Sequence, residues 1–178
     1  MRRKTDETDI EINYSKELSV DTKDPVLNHL LKTLFYYMEK TVMVKAEFDL
    51  KHHLWEDMGI SVGQFLKEEI KDKSIKRFGS CILPMDDALV LVSIDISRAY
   101  TNIDLELKDL EAGFDLGNFK EFIYGLSRNL SATIHIKQLN GENAHHIIEA
   151  SFKALGNSLK QALEESPKRE STNRVYEV

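Results

Sequence analysis

At 178 residues, with 42% hydrophobic and 30% charged side chains, the chain is long enough for one full-sized domain or for two small repeats sharing a core. Its net charge of −6, from 24 basic and 30 acidic residues, excludes a general basic face for nucleic acid. No apolar run approaches the roughly 20 residues of a membrane-spanning helix, and the opening MRRKTDETDIEI lacks the apolar core of a secretory signal. The lone Cys81 excludes an internal disulfide and suits a reducing cytoplasm.

In chain order, Ile10, Ile12 and Tyr14 alternate with Glu11 and Asn13, which suggests a strand within the first 22 residues. Asp24-Pro25 signals a helix start. Leu27, Leu30, Leu31, Leu34 and Phe35 then follow helical spacing, with His29 on the first turns. Val42, Val44, Ala46 and Phe48 alternate as a strand. His52-His53 lead into a helix through Met58, Val62 and Leu66 that ends near Ile70. A charged connector over 71–84 follows, polar above all between Lys71 and Arg77. Ala88 to Ile96 is β-branched and nearly all apolar, hence a central strand. Ile103, Leu105 and Leu107 suggest its hairpin partner. Gly113 to Gly117 breaks the pattern, a helix runs from about Asn118 to Leu130, and a strand covers Ala132 to Leu139. A loop and a helix beginning at His145 come next, and 167–178 is a polar tail. The whole reads as one α+β domain of two repeats, about 1–75 and 85–167, each strand, strand, helix, strand, helix.

The repeats carry the chemistry. His52, His53 and Glu56 in KHHLWED recur as His145, His146 and Glu149 in GENAHHIIEA, each 93 residues later (145 − 52, 146 − 53, 149 − 56). Gly63, Leu66 and Lys67 recur at the same offset as Gly156, Leu159 and Lys160. Such self-similarity marks an internal duplication. Imidazole and carboxylate together suit borderline divalent metals, and a cysteine-free set argues against a structural zinc knuckle. Residues three and four apart share a helix face, whereas adjacent ones diverge by about 100°. One histidine of each pair therefore serves one metal and its neighbour another, which favours two metal sites. His135, alternating within a strand, reads as structural, and Trp55 and Met58 read as core.

These residues also carry a family likeness. RKTDETDI, DTKDPVLNHLL, HHLWEDMGISVGQ, IKRFGSCILPMDDAL, IDISR, GENAHHIIEASFKALG and ESTNR follow in an order that resembles imidazoleglycerol-phosphate dehydratase over nearly the whole chain. The resemblance implies a duplicated α+β fold of ribosomal protein S5 domain 2-like repeats, with four-stranded-type sheets packed on helices. It implies loss of water from imidazole glycerol phosphate to give imidazole acetol phosphate in histidine biosynthesis. It also implies two Mn²⁺ per active site and an octahedral assembly of twenty-four copies built from trimers, with ligands from neighbouring subunits. By position it assigns metal ligation to His29, His52, His53, Glu56, His145, His146 and Glu149, with Glu121 where the family has a further histidine. Glu7, in the RxTxET pattern, is the candidate for acid–base work beside Glu56 and Glu149. Arg77 and Arg98 match the family's phosphate-binding arginines, whose guanidinium forks suit that role. Ser171, Thr172 and Arg174 lie where its tail meets the phosphate.

The chain departs from the family at Asn28, at Leu50-Lys51 before the first histidine pair, at Ser97-Arg98-Ala99-Tyr100, at Glu121 and at Asn173. Glutamate still binds Mn²⁺ through oxygen. Glu121 and Asn173 favour the alternative reading, a non-catalytic metal-binding homologue that keeps the oligomeric assembly. A small-molecule kinase on a related fold is disfavoured, since no glycine-rich phosphate loop follows a strand.

Overall fold

The structure is a computed structural model that describes residues 1–167. Its first repeat runs β1 (Arg2–Lys4), β2 (Thr8–Tyr14), β3 (Ser19–Asp21), α1 (Pro25–Tyr37), β4 (Val42–Phe48) and α2 (Lys51–Glu69). The second runs β5 (Phe78–Met85), β6 (Ala88–Ile96), β7 (Tyr100–Asp104), α3 (Leu116–Leu130), β8 (Ala132–Asn140) and α4 (Ala144–Leu163). Each repeat thus has one strand more than the sequence pattern indicates. In the first repeat the short strands β1 and β3 are three residues each, too brief to show a period. In the second, β5 occupies most of the expected connector, leaving 71–77 as the link. Its outward Phe78, Ser80, Ile82 and Pro84 alternate with less exposed residues, but both sets are largely apolar or small, so no polar–apolar contrast announces the strand.

The two sheets share one topology, β1-β2-β4-β3 and β5-β6-β8-β7. The expected hairpin between Ala88–Ile96 and its successor does not form. β8 lies between β6 and β7, and β7 pairs with β8 in parallel, Ile103 opposite Ile136. β6 buries every second residue from Ala88 to Ile96. Flanked by β5 and β8, it is the interior strand that its composition announces.

Helix starts follow the capping rules. Asp24 accepts the amide hydrogens of Val26 and Leu27 at 2.9 and 3.2 Å, Asp115 caps α3 through Asn118, and Asn143 caps α4 through His146. The helices lie on the inner faces of both sheets and pack crosswise between repeats, α1 against α4 and α2 against α3. The approach is close enough to require glycine. A Cβ on Gly59 would lie 2.1 Å from the Phe122 carbonyl oxygen, and one on Gly156 would lie 2.7 Å from that of Leu34. One core, including fully buried Trp55, Met58, Phe122 and Phe152, spans both repeats. Gly59→Ala is expected to destabilise the protein by about 1–3 kcal/mol through overpacking, lowering its urea midpoint. Gly117→Ala, which meets the Asp115 carboxylate at 3.0 Å, should stay near the parent.

Candidate metal centre and active site

The crosswise packing brings α1 to the start of α4. His29 Nε2 lies 2.8 Å from Glu149 Oε2, and His145 Nε2 lies 2.9 Å from the same oxygen. Metal bonds of about 2.1 Å place neighbouring octahedral ligands about 3 Å apart, so this spacing fits one divalent cation. Among the described residues this is the one group of three His, Cys or acidic side chains whose ligand atoms all lie within 4.8 Å of one another. The second oxygen of Glu149 meets Lys153 at 2.9 Å. Burial opposes ionisation of Glu149, but the hydrogen bonds from His29 and Lys153 outweigh it and bring the carboxyl down to about 2.

The second histidine of each pair turns away from its own helix set. His146 Nδ1 meets Asp87 at 2.6 Å, and His146 Nε2 is 3.4 Å from Asp86. His53 Nδ1 meets Asp49 at 2.7 Å, and His53 Nε2 is 3.8 Å from Glu7. These hydrogen bonds raise both imidazoles above their ordinary pKa. The RKTDET segment explains the place of Glu7. Arg3 pairs with the buried Asp57 of α2 at 3.0 Å, Thr8 donates to the same carboxylate, and Thr5 Oγ1 accepts from the Glu7 and Thr8 amides. The β1–β2 turn is thereby tied down beside His53.

The repeat counterpart of the assembled triad is His52, Glu56 and Glu121. α2 and α3 run in the same direction, with Gly59 against Phe122 and Gly63 against Leu126, which puts Glu121 at the level of Glu56. No hydrogen bond or ion pair joins these three among the described residues. Lys51, a departure beside the histidines, is an ion-pair partner of the α1 cap Asp24 at 3.2 Å, and Trp55 donates to that same carboxylate at 3.0 Å. Asn28 does not orient His29. Its side chain accepts from the Thr22 amide and hydroxyl, both at 2.7 Å.

Arg77 and Arg98 sit at the other end of the β5–β6 hairpin, where Phe78 pairs with Asp95. Arg77, read from sequence as a solvated charge but for the resemblance, has a left-handed backbone (φ 72°) and lies over the Phe78 ring at 4.4 Å. Its Nε approaches Asp95 at 2.7 Å, an ion pair bent out of hydrogen-bond alignment, since both atoms are buried without a hydrogen-bond partner. Arg98 is exposed. Ser171, Thr172 and Arg174 fall outside the described residues. Sequence reasoning gave no role to Lys153, Asp86, Asp87 or Glu111, whose carboxylate is 3.3 Å from His145 Nδ1. Lys153 was findable, four residues after Glu149 on one helix face. The acids come from loops whose partners only folding selects.

Two sheet-and-helix repeats with histidine pairs at matching helix starts, one of them closed into a triad with His29, define the class: a two-repeat enzyme whose candidate site draws on both halves. The comparisons make it specific. The model of the family described as imidazoleglycerol-phosphate dehydratase matches residues 22–159. A protein of that name from Pyrococcus furiosus is 53% identical over 176 residues, 98% of this chain and 99% of the relative. One from Sulfurisphaera tokodaii is 47% identical over 171 residues, 90% of this chain and 88% of the relative. The crystal structure of the Pyrococcus furiosus protein superposes with a TM-score of 0.93, covering 97% of this chain and 98% of that one. That of the Staphylococcus aureus dehydratase, 34% identical, gives 0.82, covering 93% and 98%. The chain belongs to the imidazoleglycerol-phosphate dehydratase family, and it is an enzyme of the hydro-lyase class.

Because the carboxyl of Glu149 is lowered from 4.5 to about 2 by folding, it contributes stability above its unfolded value that is lost as pH falls from about 4.5 to about 2. In chelator-treated protein, Glu149→Gln is expected to be about 2 kcal/mol less stable near pH 6 and to lose less on acidification across that window. Urea denaturation at stepped pH measures both.

Proposed function

We propose that the chain removes water from D-erythro-imidazole-glycerol phosphate to give imidazole-acetol phosphate in L-histidine biosynthesis, with two Mn²⁺ per active site. The observation that carries this reading is the convergence of His29, His145 and Glu149 at a spacing suited to a divalent cation. The donor set, two imidazoles and a carboxylate, suits Mn²⁺ among the borderline metals. His52, Glu56 and Glu121 would form the second set, with an oxygen in place of one imidazole. His53 and His146, turned toward loop acids rather than toward the triad, suit completion of sites in another copy.

The proton to be lost is on a carbon with no carbonyl to acidify it, so the electrons of its C–H bond can flow toward the substrate's imidazole only as the hydroxyl on the ring-bearing carbon departs. Cations held by these residues would supply Lewis acidity toward the ring. Glu7, exposed on a turn pinned by Arg3 and Thr8, would be the group that moves a proton. The carbon–oxygen bond breaks with a proton delivered to the leaving hydroxide, and the enol that remains tautomerises to the ketone. Arg77 and Arg98 would hold the phosphate.

The two ends of the proposed site lie far apart on one chain. Arg77 precedes and Asp86 follows the eight-residue β5, and at about 3.3 Å per residue they lie roughly 30 Å apart. A three-carbon imidazole phosphate is far shorter. This separation supports active sites between subunits of an assembly of twenty-four copies built from trimers. No helix among the described residues is long and apolar enough to cross a membrane, and the lone Cys81 suits a cytoplasmic location.

An assay for imidazole acetol phosphate with added Mn²⁺, and again with chelator, tests the reading. Turnover with metal and its loss with chelator is expected. Metal uptake without turnover would leave a non-catalytic assembly, the reading that Glu121 favours. His145→Ala is expected to lower metal content per chain. Arg77→Ala and Glu149→Gln should each lower turnover about a hundredfold or more. Co-assembly of those two inactive chains should restore part of the activity, because one subunit then supplies the arginine end and another the carboxylate end. Failure to complement would place the whole site within one chain.

A further inference from the structure

The second histidine of each pair shares a feature that the duplication did not copy. Each commits Nδ1 to an aspartate, His53 to Asp49 at 2.7 Å and His146 to Asp87 at 2.6 Å. The aspartates are not repeat counterparts. Asp49 lies in the loop directly before α2, and the residue 93 positions later is Glu142. The Glu142 side chain faces Lys108 at 3.7 Å instead. Asp87 comes from the β5–β6 turn, far from α4 in sequence. The first repeat's corresponding turn meets its loop differently, with the Asp49 amide donating to the Glu7 carbonyl at 3.0 Å. The same hydrogen bond, at the same ring atom, is therefore built twice from different parts of the chain. Scaffolding inherited by both halves would have kept the donor and acceptor positions. A shared requirement on the imidazole accounts for what was kept.

An ionised carboxylate only accepts hydrogen bonds, so Nδ1 carries the proton and the Nε2 lone pair is left for a ligand. We propose that Asp49 and Asp87 are positioning residues that fix the tautomer and ring direction of His53 and His146, so that each presents Nε2 to a divalent cation. The proposal rests on the metal-dependent reading above. Carboxylate partners of metal-binding imidazoles raise ligand basicity, and their loss costs about 10–100-fold in affinity. Asp87 has a structural duty on its other oxygen, which accepts the Glu142 and Asn143 amides at 2.7 and 3.2 Å. The two duties fall on separate atoms and can be separated by substitution.

Asp87→Asn keeps an amide oxygen for the two backbone donors and turns an N–H toward His146 Nδ1. That reverses the tautomer and places the proton on Nε2, where it blocks a metal. Asp49→Asn does the same to His53. Metal-free assembled protein is titrated with Mn²⁺, following free Mn²⁺ by electron paramagnetic resonance, and its thermal midpoint is recorded before metal is added. The parent should take up two Mn²⁺ per chain. Each variant should keep one class of site at parental affinity, weaken the other about 10–100-fold, and hold a metal-free midpoint close to the parent's. Unchanged affinity and stoichiometry in both variants overturns the positioning role while leaving the metal-dependent reading intact. A parent that takes up no Mn²⁺ overturns both. If Asp87→Asn fails to assemble, Asp49→Asn, with its exposed carboxylate, decides by the same criterion.

Discussion

Helices of one repeat pack against helices of the other, and the candidate site depends on that contact. Within a repeat, the second helix supplies two histidines and a glutamate but no third partner. α1 supplies His29 to Glu149, 120 residues away, because Gly156 lets the α4 backbone approach the Leu34 carbonyl. Gly59, Gly63 and Gly125 do the same for α2 and α3. Burial of apolar side chains between the sheets drives the approach, and the glycines set how far it goes. A methyl group at any of these four would push the two halves apart, and with them the ligands drawn from both.

Electrostatics then orders the side chains that packing brings together. Glu149 is buried, and burying a lone carboxylate is costly. The cost is offset on one oxygen by two imidazoles and on the other by Lys153. Asp57, also buried, is met by Arg3 and Thr8, so the N-terminal turn is held to α2 by a charge that would otherwise be unpaired. The acids that hold His53, His145 and His146 lie on loops, exposed enough to ionise and close enough to direct each ring. At the opposite end of the second sheet, Asp95 and the Phe78 ring hold Arg77 in a left-handed backbone conformation that side-chain-bearing residues seldom adopt.

Placing these two ends on opposite tips of one hairpin has a functional consequence. Local sequence can set ligand type and spacing along a helix, but it does not fix which strand tip a loop residue reaches. The motif IKRFGSCILPMDDAL contains both ends, Arg77 and Asp86-Asp87, and looks continuous when written as letters. Folded as β5, it holds them roughly 30 Å apart, so a single copy presents both only to a ligand of about that length.

Much was legible in the residues themselves. The 93-residue offset, the helical spacing of Leu27 to Phe35, the β-branched run from Ala88 to Ile96 and the histidine pairs at helix starts are all local or periodic, and backbone geometry converts them directly into elements and faces. What stayed hidden was long-range: β7 pairing in parallel with β8 rather than with β6, β5 lying within an apparent connector, and Asp49, Asp87 and Glu111 holding histidine ring nitrogens. Strand order and the partners of loop acids are selected by which surfaces bury together, and no local period encodes that. By itself the sequence determined that the histidine–glutamate sets come in duplicate. Tertiary packing decided that His29 closes one set, while His52, Glu56 and Glu121 make no such contact among the described residues.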